Sequence, residues 1–218
     1  MDVIIESLGH FTDPDWIMQN GGLYLVLLII FIETGIVFGF FLPGDPILFL
    51  SGMIIAGANE ALHPFQSEVW NLFFWMLLFI LAAISGNFLG YWFGKKFNKT
   101  LYTRKDTWLF KRRYIDSAHQ FYQKRGGAAI VLARFLPIVR TFAPVVGGMV
   151  KMEYRAFVFY NVLGASIWVI SITSLGFILG ESPWVQRNLE WVIIGLVVLV
   201  TLPVIIKVIS RKKPNPQA

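Results

Sequence analysis

Cysteine is absent from all 218 residues, which excludes disulfide frameworks, thiolate chemistry and cysteine-based zinc sites. Charge is scarce: 15% of residues are charged and 56% are hydrophobic, where a soluble domain carries about 25% charged residues. That much apolar surface does not fit inside a single core, so a soluble globular domain and a disordered chain are both excluded. Positive charge is missing altogether from the first 94 residues. There is no P-loop and no Gly-x-Ser-x-Gly motif, so neither an ATPase nor a hydrolase is signalled. The histidines, His10, His63 and His119, are scattered without metal-ligand spacing. No enzyme activity, metal or cofactor is expected.

What remains is an integral membrane body with a lopsided charge map. All 19 basic residues fall between Lys95 and Lys213, and ten lie in Lys95–Arg125, opposed there only by Asp106 and Asp116. Short basic loops stay in the cytoplasm, so 95–125 and the tail 207–218 are expected on that side. Apolar segments flank the basic run closely, which argues against a nucleic-acid partner; contact with anionic lipid head groups fits it better. A signal peptide is not expected, because the N-terminus lacks a positive region. Residues 1–21 read as an N-terminal interfacial segment.

Residues 22–206 read as one membrane domain. Leu23–Leu42 is long enough to cross a bilayer, which takes about 20 residues. It is expected to run outward from a cytoplasmic N-terminus. The alternative is an external start, with 23–58 as one large re-entrant hairpin. Pro43-Gly44-Asp45-Pro46 is a strong breaker, and 47–58 is too short to cross. Residues 70–94 form a span. Segment 126–150 is broken by Arg134, Pro137, Arg140, Pro144 and Gly147-Gly148; basic residues on both flanks predict that it enters and leaves on the cytoplasmic side. Residues 156–180 and about 190–206 span again.

The two halves, about 22–94 and 126–180, resemble each other. Each opens with a Gly-Gly pair, carries two ionisable residues around a proline and ends in a glycine-containing span. Gly86-Asn87 and Gly90 parallel Asn161 and Gly164. The predicted fold is an all-α polytopic membrane protein, an inverted repeat with two re-entrant hairpins packed among transmembrane helices. Paired interrupted segments point to a transporter's central site. The stripe Ala82, Gly86, Gly90 and Gly94 permits close helix approach, within the chain or in a homo-oligomer.

Four ionisable residues fall at membrane depth: Glu33, Asp45, Arg134 and Arg140. Each costs about 2.5–3.5 kcal/mol at a helix centre on the insertion scale, so they must pair or line a polar pocket. Arginine donates two parallel hydrogen bonds to phosphate and keeps its charge. Arg134 and Arg140 would stand about 240° apart on an unbroken helix; a break at Pro137 lets both turn to one point. An apolar site favours the neutral acid, which makes Glu33 and Asp45 candidates to load and release protons. Pro43, Gly44, Pro137, Gly147 and Gly148 are the candidate hairpin breaks and gates. Gly86, Asn87, Gly90, Gly94, Asn161 and Gly164 are candidates for helix packing or polar lining. The competing reading is that the four ionisable residues only form buried ion pairs that fix the fold.

Taken in order, Phe31-Ile32-Glu33-Thr34-Gly35, Phe41-Leu42-Pro43-Gly44-Asp45, Gly86-Asn87 with Gly90 and Gly94, Arg134-Phe135-Leu136-Pro137 with Arg140-Thr141, Gly147-Gly148, Met152, Phe157 and Asn161 with Gly164 resemble the DedA family of bacterial inner-membrane proteins, in the SNARE-associated or VTT-domain superfamily. The resemblance covers about residues 20–180. It implies two oppositely facing re-entrant hairpins. It implies proton-dependent function at two acids twelve apart, matched by Glu33 and Asp45, and two arginines six apart, matched by Arg134 and Arg140. Such proteins move lipids between leaflets, undecaprenyl phosphate or phospholipids such as phosphatidylethanolamine. The partners expected here are therefore a membrane lipid and protons. The other readings are a phospholipid flippase or scramblase, a proton-coupled small-ion transporter, or a scaffold assembled through the glycine stripe.

Overall fold

The computed structural model of the protein describes residues 14–36, 42–57, 64–103, 130–131, 137–196 and 198. Among them every regular element is a helix: α1 Pro14–Gln19, α2 Gly22–Gly35, α3 Gly44–Ala56, α4 Glu68–Thr103, α5 Pro137–Met149, α6 Tyr154–Gly180 and α7 Pro183–Arg187, with 189–196 also helical.

Among the described residues two helices are long enough to cross a membrane. α4 has 36 residues and α6 has 27, about 54 Å and 40 Å at 1.5 Å per residue, against a hydrocarbon core of about 30 Å. No proline interrupts either. α4 runs on through Lys95 and Lys96 to Thr103, so the first part of the predicted basic loop 95–125 is helical. Lysine is a good helix former, and a change from apolar to basic residues gives a helix no reason to stop.

α4 and α6 run antiparallel. Tyr91 stacks on Phe157 with ring centroids 4.3 Å apart, and its hydroxyl donates to the Met152 carbonyl at 2.7 Å; four residues earlier on α4, Asn87 meets Asn161. Their outer faces are apolar, with Phe73, Leu77, Leu81, Phe159, Ile170 and Ile178 exposed, while Glu33, Asp45, Arg140, Asn87 and Asn161 are buried. This inverts the soluble pattern. Exposed Trp70 and Trp92 on α4 stand about 33 Å apart along the axis, as two interfacial aromatic belts do.

The run Leu23–Leu42, expected to cross, is not one continuous helix. α2 ends at Gly35 and Ile36 is extended; at about 21 Å, a 14-residue helix is too short to span. Its course is parallel to α4, with Tyr24 against Trp75 at one end and Gly35 against Gly86 at the other. α3 then runs parallel to α6, with Asp45 beside Trp168 and Met53 beside Gly180. α2 and α3 are thus antiparallel, and the far ends of both lie toward the N-terminal end of α4. Close packing of Thr34-Gly35 on Gly86 and the break at Pro43 set this course. α3 is buried on nearly every side, as suits a helix apolar all round.

In the second half, Ile130 packs with Tyr91 and Phe157, and Gly148 at the end of α5 lies against the backbone of Tyr91 and Lys95. Both described parts of the 126–150 segment therefore reach the C-terminal end of α4. Contacts also cross between halves: α3 packs most extensively on α6, and α5 on α4.

Candidate functional site

Glycines bring these helices close enough for buried polar groups to meet. A side chain on Gly52 would collide with the Thr173 carbonyl, one on Gly176 with the Phe49 carbonyl, and one on Gly94 with the Val145 carbonyl. Gly86 and Gly90 face Gly35, and Gly90 also faces Pro144 and Val145. The predicted stripe is thus filled from within the chain by α2 and α5, not left open as an assembly face. Beside it, Asn87 Nδ2 donates to Asn161 Oδ1 at 2.7 Å, and Asn161 Nδ2 donates to the Ile84 carbonyl at 3.3 Å. Gly164 is buried on the same face of α6.

At the centre lies a charge cluster assembled from four helices. Glu33 comes from α2, Asp45 from the first turn of α3 and Arg140 from α5; they are 0%, 6% and 7% exposed. The two ends of the guanidinium are divided between the acids: Arg140 Nη1 donates to Asp45 Oδ1 at 2.5 Å, and Nη2 donates to Glu33 Oε1. α6 adds Trp168, whose indole Nε1 donates to the same Asp45 oxygen at 2.7 Å and whose ring centroid lies 4.9 Å from Arg140 Cζ. Trp168 sits near the middle of α6, 14 residues from Tyr154 and 12 from Gly180, so the cluster lies midway along a helix long enough to cross a membrane.

Among the described residues one cation faces two acids. With both acids ionised, the described cluster carries one net negative charge in an apolar interior. It also has spare hydrogen-bonding capacity: Glu33 Oε2 and Arg140 Nε are buried without a partner among the described residues. Such atoms are uncommon in folded interiors. Among the described residues no group of His, Asp and Glu is arranged to hold a metal ion.

Of the four ionisable residues picked from the sequence, the structure joins Glu33, Asp45 and Arg140; Arg134 lies outside the described residues. Pro43 and Gly44 stand at the break between α2 and α3, with Gly44 pressed against the Glu33 carboxylate. Pro137 opens α5. Gly147 and Gly148 do not form a break: α5 continues through them to Met149, and Gly148 is the small residue that admits the α4 backbone. Trp168 escaped the sequence reading because aromatic residues are frequent throughout the chain. Its helical phase was the available signal, since it lies two turns from the buried Asn161 on the same face.

Comparison with known proteins identifies the family. The VTT domain family matches residues 25–178. Protein DedA of Escherichia coli (strain K12) is 42% identical over 194 residues, covering 89% of this chain and 85% of that protein. An uncharacterized membrane protein of Mycobacterium leprae (strain TN) is 33% identical over 212 residues, covering 94% and 90%. Inner membrane protein YqjA of Escherichia coli (strain K12) is 33% identical over 166 residues, covering 75% and 70%. No solved structure matches. With a VTT domain over most of its length, this close a likeness to DedA and charged residues buried behind apolar outer faces, the chain is a membrane protein of the DedA family.

Proposed function

We propose that the protein is a lipid translocase of the bacterial inner membrane that moves undecaprenyl phosphate between leaflets, coupled to protons. The observation that carries this reading is Arg140, a buried guanidinium held by two acids from the other half of the chain. A lipid phosphate is chemically the same kind of ligand as the carboxylates that now occupy Arg140. Protonating Glu33 and Asp45 weakens their hold and leaves the guanidinium to the phosphate. Proton uptake and phosphate binding then favour each other, as linkage requires. Arg134 supplies the second phosphate ligand. The head group enters the pocket while the polyprenyl tail stays in the bilayer.

The membrane topology belongs to the same proposal. The course of α2 and α3, with their far ends near the start of α4, supports a re-entrant hairpin opening to the periplasm. The 126–150 segment, with its described parts near the end of α4, supports a second hairpin opening to the cytoplasm. The exchange of partners, α3 on α6 and α5 on α4, is what an inverted repeat produces, and non-helical backbone at membrane depth is tolerated where protein buries it. Loop 95–125 and the tail 207–218 are cytoplasmic in this arrangement, and the N-terminal segment lies outside.

The test uses purified protein in liposomes with a fluorescent polyprenyl phosphate. Leaflet exchange is followed by chemical quenching, with and without a pH gradient, beside a phosphatidylethanolamine analogue. The expected result is gradient-responsive exchange of the prenyl phosphate that is lost in Arg134→Ala and Arg140→Ala. Exchange that survives both substitutions overturns the mechanism. Equal exchange of both lipids makes the protein a scramblase, and no exchange by folded protein leaves an ion carrier or a scaffold.

A further inference from the structure

We propose that Trp168 is a positioning residue of this site: its ring keeps Arg140 at the membrane centre while the guanidinium trades carboxylates for a lipid phosphate. This rests on the lipid-phosphate reading above and adds to it a residue and a role.

Two contacts that Trp168 makes among the described residues are of different kinds. Its N–H edge donates to Asp45 Oδ1, the oxygen that also accepts Arg140 Nη1. Its ring lies 4.9 Å from Arg140 Cζ, within cation–π range. One side chain therefore touches both the acid and the base of the pair. It is itself held firmly: it is 2% exposed and belongs to the apolar cluster that contains Ile47, Leu48 and Val169.

The exchange poses a problem that the carboxylates do not solve. Once Glu33 and Asp45 are neutral they no longer hold the cation. An unpaired guanidinium at this depth is strongly disfavoured, and its long stem lets it move toward water. The indole does not titrate in this range, so its ring attracts Arg140 whether the acids are charged or neutral. The ring thus bridges the interval between release by the acids and capture by the phosphate. Phenylalanine keeps a weaker aromatic face without the N–H; leucine and methionine keep neither.

The experiment measures half-saturating concentration and maximal rate for a fluorescent polyprenyl phosphate in liposomes, with wild type, Arg140→Ala, Trp168→Phe and Trp168→Leu, and the melting temperature of each. Trp168→Leu is expected to raise the half-saturating concentration by about two- to thirtyfold, the range of one cation–π contact, with a smaller change in maximal rate. Trp168→Phe is expected to recover most of that loss. If Trp168→Leu does not fold, Trp168→Met fills the volume without an aromatic face and carries the same expectation. Wild-type half-saturation in a folded Leu or Met variant overturns the proposal. So does a Phe variant as impaired as they are, which leaves Trp168 acting through its N–H to Asp45 or its bulk and not through its ring. If wild type moves no lipid phosphate, or Arg140→Ala matches it, the parent reading fails and takes this one with it. A working, Arg140-dependent wild type with unaffected Trp168 variants overturns the role of Trp168 alone.

Discussion

Among the described residues Glu33, Asp45 and Arg140 form an unequal set, and the inequality gives a test that separates a working site from a structural ion pair. Among the described residues, removing Arg140 strands two buried acids; breaking a buried pair from one side costs about 3–5 kcal/mol. Removing the charge of Glu33 leaves one acid facing one base, with Trp168 still donating to Asp45. Arg140→Ala is therefore expected to melt well below wild type in detergent. Glu33→Gln is expected to melt at or above wild type while losing the response of transport to a pH gradient. If Glu33→Gln melts as low as Arg140→Ala, the second acid is a structural partner and the proton-coupling role falls. Gly44 is bound into the same geometry: a methyl group there would enter the Glu33 carboxylate, so even Gly44→Ala is expected to impair transport.

Among the elements, the decisive contacts are glycine against backbone, and they differ sharply between neighbours. Gly148 has no room for a side chain beside the Tyr91 carbonyl, whereas among the described residues a methyl group on Gly147 would meet only the Tyr91 ring, at 4.0 Å. Overpacking a fixed backbone costs about 1–3 kcal/mol, and alanine in place of glycine within a helix gains about 1 kcal/mol in propensity. Gly148→Ala is expected to lower the melting temperature and Gly147→Ala to leave it level or raise it. Equal effects of the two would mean that the pair acts as a flexible break after all. This distinction marks how far the sequence could be read. Local pattern exposed the stripe at Gly86, Gly90 and Gly94 and the ionisable residues, because charge at membrane depth and small residues four apart are anomalies in a single segment. It did not expose Gly52 opposite Thr173, Gly148 opposite Tyr91, or Trp168 beside Asp45. Those depend on which helix of one half lies against which helix of the other, and a glycine at a close approach looks the same in sequence as a glycine at a break. The end of α2 at Gly35 was hidden for a related reason: the apolar run continues beyond it, and hydropathy measures composition, not direction.

For the whole molecule, the arrangement of α2 and α3 bears on the sidedness that the charge map left open, because residues 1–21 carry no lysine or arginine. If Leu23–Leu42 crossed, the chain on either side of it would lie in different compartments. If α2 and α3 form a hairpin, Gln19 and Ser67 lie in the same one. The absence of cysteine gives a direct measurement, since single cysteines can be introduced without background. Gln19, Ser67, Lys96 and Glu153 are all exposed and flank the helices at issue. In intact spheroplasts a membrane-impermeant thiol reagent is expected to label Gln19→Cys and Ser67→Cys. Lys96→Cys and Glu153→Cys are expected to react only after permeabilisation. Gln19→Cys protected while Ser67→Cys reacts restores the crossing and removes the periplasmic hairpin. All four reversed would keep the hairpin but turn the protein over, placing Lys95–Arg125 outside against the charge rule and leaving Glu33 and Asp45 to draw their protons from the cytoplasm.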